Sequence, residues 1–353
     1  MQVLRLLIAI SVAVALGICK PAGAESNGPV PHEVVEPAVT ATSHKASLLE
    51  GFELGGYSSA GLNIHPGGEK DAALNEVSLI LRWEGESRLR FFGELELEHP
   101  LTWNQDARFT SHGSKVDLER LYFDYNLSEQ VNVRAGRFLT PAGRWNLLHA
   151  APLVWTSTRP LATSRLFPIS TNGAMVYGAA PLGDKAFEYT FFVEALKDQD
   201  EDRNEIQFRD ARGARFVLSG KVNLGVSLLE FTEKSPMNDR FRMIGLDFLT
   251  QHNGWELSGE AFQRFYSNGN EGGNGAYLQG VAPIGDHGAG NGWFAIARLE
   301  GFKRPAEGSS DRWLLGTAWR MSPSKILKLE YAGGDEERVD SPKGFLASFA
   351  ILF

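Results

Sequence analysis

The chain has 353 residues, 35 Lys plus Arg against 43 Asp plus Glu for a formal charge of −8, and a single cysteine. The acidic balance argues against nucleic acid bound through a basic surface, and one thiol excludes a disulfide framework or a zinc site built on several thiolates. With 38 Gly, 22 Phe and 8 Tyr, the composition favours turn-rich β-structure over a helical bundle.

Residues 1–24 read as a secretory signal peptide. Arg5 makes the start positive, 6–18 is an apolar run too short to span a bilayer, and Ala22-Gly23-Ala24 forms a small–x–small site before Glu25. Cys19 follows the bulky Ile18, which argues against a lipid-attachment site. Cleavage after Ala24 removes that thiol and suits an oxidising compartment. Residues 25–50, rich in Pro, Val, Ala, Thr and Ser without a clear period, read as a flexible leader.

From 51 to 353 no apolar stretch approaches the roughly 20 residues of a spanning helix. Instead the chain divides into about sixteen segments punctuated by Gly, Asn, Asp, Pro and Ser: 52–64, 74–85, 88–98, 117–127, 130–139, 173–180, 186–196, 213–222, 224–233, 240–250, 254–266, 275–282, 292–302, 312–321, 325–333 and 344–353. Several alternate strictly. Val77, Leu79, Leu81 and Trp83 alternate with Ser78, Ile80, Arg82 and Glu84; Leu89, Phe91, Gly93, Leu95 and Leu97 alternate with Arg90, Phe92, Glu94, Glu96 and Glu98. Phe187, Tyr189, Phe191 and Val193 stand against Glu188, Thr190, Phe192 and Glu194, and Leu327, Leu329 and Tyr331 against Ile326, Lys328 and Glu330.

A soluble antiparallel sandwich also alternates. Two features favour a membrane barrel. Trp83, Tyr125, Trp255, Trp293, Trp313 and Trp319 sit near strand ends on the apolar parity, as interfacial rings do, and short connections broadly alternate with long ones. At the carboxyl end Phe345, Ala347, Phe349, Ile351 and Phe353 share one parity. That segment resembles the last strand of Gram-negative outer-membrane proteins. The fold expected is therefore an all-β, transmembrane, antiparallel up-and-down β-barrel of about 16 strands over 51–353. A strand number near sixteen leaves an aqueous lumen. The polar parity would line it with Arg82, Arg90, Glu94, Glu96, Glu98, Asn132, Arg134, Glu188, Glu194, Glu256, Glu260, Arg298, Glu300, Arg320, Lys328 and Glu330.

The longest connection, 141–171, follows the fifth strand. Here the chain resembles trimeric sixteen-stranded bacterial porins, whose third external loop folds inward and narrows the pore. Gly136-Arg137-Phe138-Leu139-Thr140-Pro141-Ala142-Gly143, leading into Trp145-Asn146, is also similar to the Gly-Arg/Gln-Phe…Pro-Phe-Gly segment of phosphate-selective-type porins, with Ala142 where that family often has Phe. The resemblance implies a loop folded toward the lumen, a homotrimer, and passive diffusion of small hydrophilic solutes through a barrel seated in outer-membrane lipid and lipopolysaccharide.

The loop contains no Asp or Glu between 141 and 171, while Arg144, Arg159 and Arg165 are present with His149. A cationic loop in an acidic lumen would face Glu94, Glu96 or Glu98, and a constriction of both signs sets ion preference through its field. Arg134 on the inner parity and Arg137 in the motif complete the expected selectivity set. The competing reading is that the loop arginines only pin the loop to the wall. No cofactor, metal or enzymatic role is indicated. Asp198-Gln199-Asp200-Glu201-Asp202 lacks an ordered calcium-loop pattern and suits a solvated or lipopolysaccharide-bridging loop. His65, His99, His112 and His149, with Asp106 and Ser111, lie near the external rim without a Gly-x-Ser-x-Gly elbow or a His-Glu-x-x-His pair, so a rim hydrolase is the weaker alternative, beside a structural or adhesive barrel.

Overall fold

The computed structural model describes residues 51–353 apart from 86, 107–108, 112, 197–205, 235–236, 286–290, 306 and 336–341. The signal peptide and leader expected over 1–50, the acidic run at 198–205 and His112 lie outside the described residues.

Sixteen antiparallel strands close into one barrel, each bonded to its neighbours in sequence. They are β1 Phe52–Ile64, β2 Lys70–Glu84, β3 Leu89–Asn104, β4 Lys115–Ser128, β5 Val131–Leu139, β6 Ser170–Leu182, β7 Lys185–Glu194 and β8 Phe208–Ser219. The second half comprises β9 Val222–Glu233, β10 Arg240–His252, β11 Trp255–Tyr266, β12 Glu271–Ile284, β13 Gly292–Arg304, β14 Gly308–Ser322, β15 Lys325–Gly334 and β16 Gly344–Leu352. β1 pairs with β16 from Tyr57↔Leu352 to Ile64↔Phe345, which removes every sheet edge. Reciprocal Gly56 and Phe353 N–H···O bonds of 2.9 Å finish the seam.

The strands agree in number and order with the alternating segments. They differ most at the long-connection end, where β3 runs on to Asn104 and β14 begins at Gly308. Alternation fails in β3 for a structural reason. Asn75 of β2 faces both His99 and Pro100, a bulge in which His99 takes φ 45° and Pro100 has no N–H to pair.

The outward face is apolar and exposed: Leu54, Leu79, Leu95, Phe123, Phe191, Ile244, Leu299 and Leu315 all point away from the lumen. Aromatics crowd the short-turn end, where Trp293 and Trp319 are register partners stacked 5.5 Å apart and Phe52 lies 6.2 Å from its partner Trp83. At the opposite end Trp313 stacks on Tyr331. In water this surface would be a continuous hydrophobic patch; in a bilayer it is matched to hydrocarbon, with amphipathic rings at the headgroup levels.

Candidate functional site: the occupied lumen

The chain turns into the barrel after β5. Gly136, at φ 136°, breaks the regular alternation, and a side chain there would collide with the β4 backbone at Leu121 and Tyr122. Thr140 N–H bonds Ile169 O at 2.8 Å, bringing the two ends of the connection together. Asn146 staples that base. It is fully buried, donating to Thr140 O at 2.8 Å and Ile169 O at 3.0 Å, while its Oδ1 accepts from Arg159 at 2.6 Å. Between these points run a 3-10 turn, Trp145–Leu147, and a single-turn helix α1, Leu161–Ser164.

A backbone entering a closed interior must pair its N–H and C=O groups, and the wall supplies the partners. Ser227 accepts Gly143 N–H at 3.1 Å and Glu260 accepts Trp145 N–H at 2.6 Å. Glu330 accepts Ser157 N–H at 2.9 Å, and Glu300 accepts Leu161 N–H at 2.8 Å. Lys328 donates to Ala151 O at 2.8 Å and Thr156 O at 3.1 Å, and Arg298 donates to Thr158 O at 2.8 Å. The connection thus leans on β9 to β16. This corrects the expected wet lining: Glu260, Arg298, Glu300, Lys328 and Glu330 are each at most 3% exposed and hold loop backbone, not water. Being charged, they make stronger bonds than neutral groups would in the same dry interface.

The structure separates the eight charges expected at the constriction. Glu96, Glu98, Arg137 and Arg159 line one cavity of about 290 Å³ on the β3–β8 side of the lumen. Arg159 also reaches Thr163 O at 2.8 Å and lies over the Trp145 ring at 4.8 Å. Burial lowers its pKa to about 10, which leaves it charged at neutral pH. The other four lie elsewhere. Arg165 grips Glu307 in the β13–β14 connection through bonds of 2.8 and 3.2 Å. Glu94 accepts from Arg120 at 2.5 Å. Arg134 makes two 2.8 Å bonds to Asp124 and lies 3.6 Å over the Tyr122 ring. Arg144 is half-buried at the start of the 3-10 turn.

Asp117, Glu119, Glu194, Lys234 and His149 also line the cavity. Glu119 is reached by a bulge. The register jumps from Glu94↔Arg120 to Leu95↔Leu118, leaving Glu119 as the extra residue, with its Oε1 3.2 Å from His149 Nε2 of the loop. Three charges within Asp117-Leu118-Glu119-Arg120, which no strict alternation can place on one face, are the trace of that bulge in the sequence. The remaining rim histidines are dispersed: His65 bonds Asp71 at 2.6 Å, and His99 occupies the β3 bulge. Among the described residues no group of three His, Cys, Asp or Glu side chains is placed to hold a metal ion.

The closed antiparallel barrel has counterparts among solved structures. The chain is similar to the anion-selective porin from Comamonas acidovorans, with TM-score 0.53 and 14% identity over 85% of this chain and 97% of that one. It is likewise similar to Salmonella typhi OmpF in a complex with daunomycin, with TM-score 0.56 and 12% identity over 86% and 97%. The trimer form of OmpT, an outer-membrane protein of Vibrio cholerae, superposes with TM-score 0.57 and 9% identity over 86% and 99%. The fold is that of the porins. No family model matches the chain. An uncharacterized protein of Aquifex aeolicus matches at 28% identity over 146 residues, 40% of this chain and 32% of that one, so the match spans about a third of the relative's length.

Within this porin fold the lumen departs from the polar lining that strand parity led us to expect. Inward-facing Ile80, Phe92, Tyr122, Met175, Phe192 and Leu229 are each at most 6% exposed. They belong to one apolar cluster with Phe231, Phe262 and Phe302 of the far wall and Ala142, Leu161, Leu166 and Phe167 of the loop. A second cluster, built on Phe294, Ile296, Leu314 and Ile326, takes Trp155 of the loop against it, with the Trp155 and Phe294 rings 4.8 Å apart. The interior therefore has a hydrophobic core of its own. It seats the loop by removing apolar surface from water, at about 25 cal/mol per Å².

Proposed function

We propose that this barrel is a passive diffusion channel for small hydrophilic solutes or ions across the bacterial outer membrane, with a preference for cations. One observation carries the reading. The loop packs against β9–β16, and the charged cavity lies on the opposite, β3–β8 side of the lumen. Five carboxylates line that cavity (Glu96, Glu98, Asp117, Glu119 and Glu194) against Arg137, Arg159 and Lys234, with His149 beside Glu119. In a confined passage of low dielectric the unbalanced sign concentrates counter-ions. Arg165 and Arg144 contribute through the placement of the loop, and Glu94 and Arg134 through pairs that stiffen the wall. No chemistry on the solute and no cofactor is part of this proposal. Assembly as a homotrimer in lipid and lipopolysaccharide belongs to it, supported by the trimer form of OmpT.

Planar-bilayer recording in a salt gradient tests both parts. Stable conductance steps with a cation-side reversal potential are expected, and Glu98→Gln with Asp117→Asn should move that potential toward the anion side. Absence of steps from correctly folded barrel would reject the channel; an anion-side potential in the unaltered protein would reject the assigned preference.

A further inference from the structure

The outward parity of β8, β9 and β10 changes character along its length. Toward the short-turn end it carries Phe216, Val226 and Leu246, then Ala214, Leu228 and Ile244, each set in register across the three strands. The next row is Arg212, Glu230 and Arg242, and the row beyond it Arg209, Thr232 and Arg240. Phe241 and Met243, which alternate with the β10 arginines, are buried inside the barrel, so the arginines point to the lipid side. On β8 a bulge, with Asp210 at φ 55°, keeps Arg209 and Arg212 on one face although three positions separate them. The side chains of Arg212 and Arg240 are 56% and 52% exposed. Glu230 accepts from Arg212 at 2.9 Å and also pairs with Arg240. Counting Asp210, four guanidiniums meet two carboxylates. At the same end of β12–β14 the outward charges are Glu271, Lys303 and Asp311, of opposite net sign, so the positive patch is local to β8–β10.

The end bearing the long connections faces out of the cell in an outer-membrane barrel. An arginine on the lipid face is costly at mid-membrane and tolerated near the interface, which puts the patch at the headgroup level of the outer leaflet and the apolar rows below it in hydrocarbon. Three adjacent strands span about 10 Å, so the guanidiniums converge on an area the size of one headgroup. A guanidinium stays charged and pairs bidentately with phosphate, and basic clusters bordering hydrocarbon gather anionic headgroups. Positive charge above and apolar surface below complement a phosphate carried on acyl chains. From this arrangement we infer that the outward face of β8–β10 is a docking site for the phosphorylated glycolipid of the outer leaflet, lipopolysaccharide, held through a phosphate of its lipid A. The site follows from the outer-membrane seating of the barrel and is independent of what passes through the lumen.

Native mass spectrometry of the full-length barrel, released from detergent after incubation with diphosphorylated lipid A, reads the site directly. The unaltered protein should retain the phosphorylated lipid and lose most of it when the same lipid is stripped of its phosphates. Arg242→Gln should lower retention about fivefold, and Arg240→Gln combined with Arg242→Gln more than tenfold, the effect expected for removing arginines beside an anionic headgroup. Lys303→Gln, at the same end of the barrel, should retain the lipid in full. Heat-modifiable migration shows whether each variant is folded, and the comparison of the two lipid forms needs no variant at all. Equal retention of phosphorylated and dephosphorylated lipid overturns the inference. So does retention unaffected by the arginine substitutions, including the case in which they instead dissociate an oligomer and the patch belongs to a second copy of the chain. Displacement of the lipid by inorganic phosphate beyond that by chloride at equal ionic strength would overturn it too, by making the patch a site for free anions.

Discussion

Gly143 offers the sharpest test of how the loop is seated. It occupies φ 65°, and a Cβ there would collide with the Glu260 carboxylate and come within 2.7 Å of the Phe262 ring. Gly143→Ala therefore acts twice. Holding alanine in the left-handed region costs about 1–2 kcal/mol. Displacing Glu260 breaks a charge-assisted bond to Trp145 N–H, worth about 1.5–3 kcal/mol. The same movement disturbs the 2.8 Å bond from Tyr277. The sum, about 2.5–5 kcal/mol, falls on loop seating alone, because the strand ladder of the barrel is untouched. The variant should keep its heat-modifiable migration and β-sheet spectrum while proteases cut within 141–168 at least tenfold faster. Its channels should be larger and noisier. Glu260→Gln keeps an acceptor for Trp145 and should show a smaller effect of the same sign. If Gly143→Ala retained both the protection and the conductance of the unaltered protein, the argument that this backbone is locked against the Glu260 wall would be wrong.

Three further outcomes follow from the same geometry. Asn146→Ala removes one of the two donors to each of the Thr140 and Ile169 carbonyls and the Oδ1 that accepts from Arg159, and should cost the loop about 1–3 kcal/mol, seen as faster proteolysis with an unchanged barrel. The Glu307 carboxyl is pushed up by burial but more strongly held down by Arg165 and Arg304, so its net pKa lies below the usual carboxylate range. Its contribution is present above the ordinary Glu pKa and lost as pH falls through the depressed one. Proteolytic protection near Arg165 should hold from neutral pH to about 5 and decline only in more acidic buffer, with Arg165→Ala abolishing that dependence. On the outward face, Leu299→Arg places a charge near the middle of β13, where it should lower barrel stability in lipid by about 2–4 kcal/mol in denaturant titrations.

The wall charges illustrate two uses of one residue type. In Glu98 and Asp117 the carboxylates face the cavity; in Glu300 and Glu330 the same group is consumed in holding a peptide N–H. The loop is an internal layer of the barrel, cross-linked through its backbone on one side and its apolar side chains on the other. A substitution in Lys328 or Glu330 thus alters pore shape before it alters pore charge.

Much of the architecture was legible from alternation. Leu79, Leu81 and Trp83 against Ser78 and Arg82 identify a strand with one face in lipid, because side chains of a strand point alternately to its two faces. The same rule located all sixteen strands and the terminal aromatic parity at Phe349 and Phe353, with the largest differences at the long-connection end. The interior carried a readable warning. Ile80, Phe92, Phe192 and Ile326 are large apolar residues on the polar parity, and each is now found in an apolar cluster inside the barrel. A residue's parity says which way it points but not what meets it there.

The sequence by itself determined a closed barrel of about sixteen strands with a lipid-facing surface, since two-residue periodicity and the backbone's need for hydrogen bonds in hydrocarbon leave few alternatives. It also marked 141–171 as long, cationic and free of carboxylates. Only the tertiary structure decided that Arg159 lines the cavity while Arg165 is held by Glu307, and that Glu119 reaches inward through a bulge. These assignments depend on register offsets accumulated around the barrel, which bring together residues as distant as Ser157 and Glu330, and no local pattern encodes a contact across 173 positions.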